Sequence, residues 1–213
     1  CNAFMQSHTH GVIHMAAPLI LASGSEIRRT LLENAGVQAS VQVARIDEET
    51  IKTSLLADGA TPRDIADALA EGKARKVSLK NSDALVIGCD QVLALGQDLL
   101  SKPKTADDAI GQLRRLRGNT HQLLSAAVIY ENGAPKWRHV GVARLTMREF
   151  SDEYLADYVA RNWDSIQHSV GGYKLEEEGV RLFSRIDGDY FTILGIPLLE
   201  LLTYLTIRGT LPA

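Results

Sequence analysis

Cysteine is scarce in this chain: there are two among 213 residues, Cys1 and Cys89. They form neither a CxxC nor a zinc-type pattern, so no disulfide framework is expected, and free thiols fit a reducing, cytoplasmic compartment. Cys89 lies inside an apolar run and reads as a small buried filler. An excess of one charge sign is also lacking. The formal net charge is −3, which removes any general attraction to a nucleic acid polymer or an anionic membrane. An anionic small ligand would have to be held by a few placed cations. No apolar stretch is long enough to span a bilayer. The first seventeen residues lack the basic start and long apolar core of a secretion signal. They are expected to form a loose leader over 1–17, with His8, His10 and His14 scattered along a polar tail rather than gathered as ligands. No GxxxxGK[ST] phosphate loop, internal repeat or low-complexity linker occurs.

What is present is an ordinary globular balance, 45% hydrophobic and 23% charged. The length suits one large domain, over 18–213, or two small lobes sharing a core. Leu19 to Ala22 reads as a short strand, followed by a Ser-Gly-Ser turn. Ser25 then caps a helix carrying Ile27, Leu31 and Leu32, which Gly36 stops. Val37 to Ile46 reads as a second strand running into Asp47-Glu48-Glu49. Thr61-Pro62-Arg63-Asp64 is a helix start, with a capping Thr, Pro at the first position and acid in the first turn. That helix is expected to reach about Lys80, with Lys73 at the edge of its apolar stripe.

The run Ala84 to Cys89 reads as a buried strand that ends on Asp90, and strand ends are where open α/β sheets bind ligands. A hairpin around Gly96-Gln97-Asp98, a helix from Thr105 to Leu116 and two long strands joined at Asn132-Gly133 follow. Ser151 opens another helix to about Asn162. Val180 to Ile186 reads as a strand, and Pro197 starts a closing Leu-rich helix. Strands and helices alternate and hairpins are present, so the class is α/β. The expected architecture is a long mixed sheet flanked by helices, forming two lobes around a cleft.

Two features carry chemistry. Leu21 to Arg29 forms a strand, a small-residue turn and a helix start, a natural anion cradle to which Arg28 adds a bidentate hold. The same turn also serves purely for geometry in many proteins. The second feature is a dispersed set of charges near element ends: Glu48, Lys73, Asp90 and Lys102. Each has a plainer reading, as a solvated loop acid, a snorkelling lysine or a residue before a turn proline. Asp90 resists that treatment, because a carboxylate closing an apolar run is costly to bury without a partner.

Taken in order, these pieces resemble the Maf family of nucleotide pyrophosphatases from about Pro18 to Gly209. The matching segments are LASGSEIRRTLL, IDEE at 46–49, the Ala-x-x-Lys-Ala frame at 70–74, GCDQV at 88–92 and SKPKT at 101–105. LRGNTH at 116–121, VGGYKLEEEG at 170–179 and GDYFTILGIPLLELL at 188–202 complete the series. The resemblance implies two lobes around a cleft, similar to the inosine triphosphate pyrophosphatases. It implies hydrolysis of a nucleoside triphosphate between its α and β phosphates with a divalent cation, Mg²⁺ or Mn²⁺. Ser23, Arg28, Glu48, Lys73, Asp90 and Lys102 fall on the family's functional positions, with Asp90 as proton acceptor and Glu48 and Asp90 near the metal. A homodimer is also implied.

Departures from the pattern bear on substrate. The branch that takes dTTP and UTP has Arg, Thr and Gln where this chain has Ile27, Gln91 and Glu176. Gln91 with a late Glu is similar to the branch acting on 7-methyl-GTP, although that branch carries an aromatic residue at the place of Ile27. The expectation is a house-cleaning hydrolase with 7-methyl-GTP as leading substrate. A dTTP/UTP enzyme, an inosine-triphosphate-type enzyme and a nucleotide-binding regulator of cell division (septum inhibition) are the alternatives.

Overall fold

The computed structural model describes residues 17–213. The expected leader, with its three histidines, lies outside the described residues apart from Ala17. Among the described residues, seven strands form one mixed sheet: β1 (Leu19–Leu21), β2 (Ser40–Val41), β3 (Leu85–Leu95), β4 (Asp98–Leu100), β5 (Thr120–Glu131), β6 (Ala134–Met147) and β7 (Phe183–Asp187). Their order is β2-β1-β3-β5-β6-β7, with β4 also paired to β3. β1 is parallel to β2 and β3, and the remaining pairings are antiparallel. The helices are α1 (Glu26–Asn34), α2 (Glu48–Ala57), α3 (Pro62–Ser78), α4 (Ala106–Leu116), α5 (Asp152–Ile166), α6 (Tyr190–Leu194) and α7 (Leu198–Ile207).

Local chemistry explains most of these boundaries. Ser25, Thr61, Thr105 and Ser151 each accept a hydrogen bond from a backbone N–H in the first turn they cap, which satisfies donors a helix start leaves open. Thr61 and Asp64 form a complete capping box with Pro62 between them.

The alternation along β3 sorts the core. Leu85, Ile87 and Cys89 pack with α1 and α7, and Leu93 packs with α4 and α5. On the opposite face, Val86 packs with Val77 and Val92 and Ala94 with Ile65, Leu69 and Ala70 of α3.

Several expectations need correction. β3 does not end at Asp90. It runs five residues further, to Leu95, because Val86 to Ala94 pair without a break to β5. The opening beside Asp90 arises on the other edge. There β1 pairs only as far as Ile87 and β4 only from Leu93. The stretch between them is a gap in the sheet with Asp90 near its centre. The strand expected over Val37 to Ile46 shrinks to Ser40–Val41, since Val41 and Val43 are exposed and bury nothing. Lys73 is not at the edge of the α3 stripe. Ile65, Leu69, Lys73 and Val77 form one buried line, with Lys73 inside it. The last strand starts at Phe183, after a 3₁₀ turn that takes in Val180. Pro197 is the cap residue before α7 rather than its first residue.

Candidate active site

A cleft of about 1310 Å³ opens over the gap beside β3. This exceeds the roughly 300–1,000 Å³ usual for small-ligand pockets and suits an extended ligand. Ser23, Ile27, Arg28, Glu48, Lys73, Asp90, Gln91, Lys102 and Glu176 all line it.

The tightest constellation joins three elements. Lys73 on α3 donates to Asp90 Oδ1 at 2.5 Å and lies 2.9 Å from Glu48 Oε1 at the start of α2. The Lys73 and Asp90 side chains are nearly buried, while Glu48 is more open. Gly88 makes this approach possible. It lies two residues before Asp90 on the same face of β3. A Cβ there would collide with the Ala70 carbonyl oxygen and with Ala74, so only glycine lets α3 pack close enough to bring Lys73 onto Asp90. Burial pushes the Glu48 carboxyl up, but its hydrogen bond to Lys73 and the charges of Lys73, Lys52 and Lys102 outweigh this and hold it below its ordinary value. Lys102 is exposed after β4 and acts on Glu48 through its charge.

Arg28 and Ser23 form the second constellation. The Arg28 guanidinium is buried. It donates from Nε to Gly195 O at 2.6 Å, and from Nη1 to Ser23 Oγ at 3.0 Å and Cys89 O at 3.4 Å. It therefore ties the end of β1, the open edge of β3 and the turn after α6 together. The Ser23 hydroxyl accepts from Arg28 and from the Ser25 N–H at 3.3 Å, which leaves its own proton for a ligand oxygen. Burial pushes the Cys89 thiol up to about 11, so it stays protonated and is no nucleophile.

Gln91 is turned toward α6. Its Nε2 donates to Ser125 Oγ at 2.9 Å and to the carbonyls of Ile193 at 2.9 Å and Thr192 at 3.2 Å. Only its carbonyl oxygen is left for a ligand. Of the acidic triplet, Glu177 accepts from Ser165 and Glu178 from Arg161 and Asn162, both on α5, whereas Glu176 is the one that lines the cleft. Ile27 is half-buried against the α1–α7 core and supplies an apolar wall.

Sequence reading missed further lining groups, among them Lys52, Lys104, Gln112, His168 and Lys174. Lys52 was findable: it stands four residues after Glu48, on the same side of a helix whose cap, Asp47, accepts from the Thr50 N–H. Among the described residues no cluster of three or more His, Cys, Asp or Glu side chains is placed to hold a metal. No helix among them is long and apolar enough to cross a membrane.

Comparison with known proteins gives the family. A nucleoside triphosphate pyrophosphatase of Roseobacter denitrificans is 67% identical over 198 residues, covering 93% of this chain and 100% of that protein. A protein of the same name from Ruegeria pomeroyi is 64% identical over 197 residues, 92% of this chain and 99% of its own. A 7-methyl-GTP pyrophosphatase of Brucella abortus is 48% identical over 191 residues, 90% of this chain and 96% of its own. Residues 18–207, which carry every element of the cleft, match the Maf-like protein family, and the chain belongs to that family.

Proposed function

We propose that this protein hydrolyses a nucleoside triphosphate between the α and β phosphates, releasing the monophosphate and pyrophosphate, with 7-methyl-GTP as the leading substrate. The observation that carries the reading is the convergence of Glu48, Lys73 and Asp90 in the same cleft as the Arg28–Ser23 cradle. The names of the similar proteins support the reaction class, and the Brucella protein supports the base.

A triphosphate carries close to four negative charges near neutral pH. Arg28, Lys73 and Lys102 offset them and stabilise the charge that grows on the departing pyrophosphate. Ser23 donates its free proton to a phosphate oxygen. Asp90 accepts, on its carboxylate, the proton of the water that attacks the α phosphorus. Lys73, hydrogen-bonded to one of its oxygens, holds that carboxylate in place. No covalent intermediate is required, because orientation and charge placement suffice.

The residues also fit a divalent cation. Lys73 engages one oxygen of Glu48 and one of Asp90, leaving each carboxylate a second oxygen. Two hard carboxylates completed by phosphate oxygens and water are a donor set for Mg²⁺ or Mn²⁺. Bound there, the cation would polarise phosphoryl oxygens and acidify a water.

For the base, Gln91 and Glu176 both present acceptors. Guanine offers two donors, N1–H and the exocyclic amine, whereas thymine and uracil offer one ring N–H. Methylation at N7 adds positive charge, which a carboxylate at Glu176 favours. The test is pyrophosphate release from a panel of triphosphates with Mg²⁺ or Mn²⁺. Turnover with 7-methyl-GTP foremost is expected. Faster turnover of dTTP or UTP would reassign the base, and no turnover of any nucleotide would favour a binding regulator of cell division.

A further inference from the structure

His121 on β5 is fully buried, and among the described residues its ring has one polar partner: Nε2 lies 2.7 Å from the Tyr173 hydroxyl. Its Nδ1 has none. The ring is tilted against those of Tyr173 and Phe183, and Tyr173 meets Phe183 edge-on at 4.9 Å. Burial lowers the imidazole to about 4 and raises the Tyr173 phenol, so both are neutral at physiological pH. A half-satisfied imidazole is a costly choice for an apolar core. What histidine supplies here, and an apolar residue would not, is a hydrogen bond to residue 173.

Tyr173 belongs to a segment pinned on both sides. Before it, Gly171 has φ of 77° and presses against Leu93 of β3 so closely that a Cβ would overlap that side chain. Gly172 lies against Ala109 of α4. After it, Glu177 and Glu178 are bound to α5. Lys174, Leu175 and Glu176 remain between these anchors, and all three line the cleft. The groups assigned to the phosphates come from the β1–α1 turn, α1, α2, α3, β3 and the turn after β4, so this segment is a wall left for the nucleoside.

We propose that His121 and Tyr173 are a positioning pair: their hydrogen bond fixes Lys174 to Glu176 as the nucleoside-facing wall and thereby sets the selectivity among bases. The proposal rests on the pyrophosphatase reading. The pair bonds to none of Glu48, Lys73, Asp90 and Arg28, so its loss acts on KM and on selectivity rather than on kcat.

Tyr173→Phe removes the hydroxyl and keeps the ring. The expected result is a rise in KM of about tenfold, kcat held within about twofold, and a narrowed ratio of kcat/KM between 7-methyl-GTP and GTP. His121→Gln, which retains a hydrogen-bonding group, should lie closer to wild type than His121→Leu. A fall in kcat with KM and selectivity unmoved would overturn the proposal. A second readout needs no substrate. In ligand-free Tyr173→Phe, amides from Gly171 to Glu176 should exchange with solvent about tenfold faster, while those of Leu85 to Leu95 do not change. Unchanged exchange at 171–176 overturns the positioning role even if wild type is an active pyrophosphatase. Absence of turnover by wild type overturns the pyrophosphatase reading instead, and the exchange result stands by itself.

Discussion

Lys73 and Asp90 meet across 2.5 Å in the gap left between β1 and β4 on the open edge of β3. Both side chains are about nine-tenths buried, so neither charge has water enough to stand alone. Removing one partner of such a pair is more damaging than the pair is helpful, because the survivor is left uncompensated. Lys73→Met is therefore expected to cost about 3 kcal/mol, read as a fall in thermal midpoint of roughly 10 °C for a chain this size. The double variant Lys73→Met/Asp90→Leu should recover part of that loss. A double variant no more stable than the single one would show that the pair is not what stabilises this part of the core.

Asp90→Asn keeps the shape and still accepts from Lys73, but it cannot take a proton. Turnover should drop by about 10²–10⁴-fold, while nucleotide binding stays measurable by calorimetry. Activity near the wild-type level would remove Asp90 from the proton-accepting role.

Gly88→Ala tests the packing that creates the site. The added methyl meets backbone atoms of Ala70 and Ala74, which cannot swing aside like the end of a long side chain. α3 must then lift from β3, at a cost of about 3 kcal/mol. Because Lys73 rides on α3, activity should fall further than the unfolded fraction explains, with a longer Lys73–Asp90 distance in a crystal structure of the variant. An unaltered rate per folded molecule would separate the packing from the chemistry.

The caps were legible in the sequence because capping is local. Ser25, Thr61, Thr105 and Ser151 stand immediately before their helices and need only the next few residues to act. α2 leaves a weaker trace, the Asp47 cap and the apolar pair Ile51 and Leu55, since none of its residues is fully buried. Asp90 drew attention for a sound reason and was placed for a wrong one. Burial of a carboxylate demands a partner, but the opening comes from neighbouring strands stopping short, which no run within β3 encodes. The charges of the site were visible singly. That Lys73 bridges Glu48 and Asp90, from elements separated by up to 42 positions, depends on the α3–β3 approach. The role of Gln91 rests on the family resemblance alone, and no local pattern shows that its amide is tied to carbonyls about a hundred residues later.

His121 supplies a pH signature of stability. Burial lowers its imidazole from an ordinary 6.5 to about 4. The unfolded chain thus binds a proton that the folded chain refuses over the interval between those values, and stability rises with pH there. The contribution is complete above pH 6.5 and is lost on acidification toward 4, by about 1.4 kcal/mol per pH unit at the steepest. The carboxylates held below their ordinary values, such as Glu48 and Glu71, act lower in the range. Denaturant titrations of wild type and His121→Gln between pH 7 and 4.5 should therefore converge as the pH falls, the wild-type advantage shrinking. Parallel curves would show that His121 titrates alike in both states.

Glu176 is the acid of its triplet that lines the cleft, and in the proposed reading it and Gln91 accept from the base. Glu176→Gln keeps the length and one acceptor but loses the charge. A cationic 7-methylguanine base should suffer more than neutral guanine, because only the former gains from the carboxylate beyond its hydrogen bonds. kcat/KM for 7-methyl-GTP is expected to fall by about tenfold and that for GTP by a few-fold, with kcat on both little changed. The contrast between the two nucleotides is the decisive quantity. Equal losses would mean that Glu176 serves as a plain hydrogen-bond acceptor, and no loss on either would place the base against another wall.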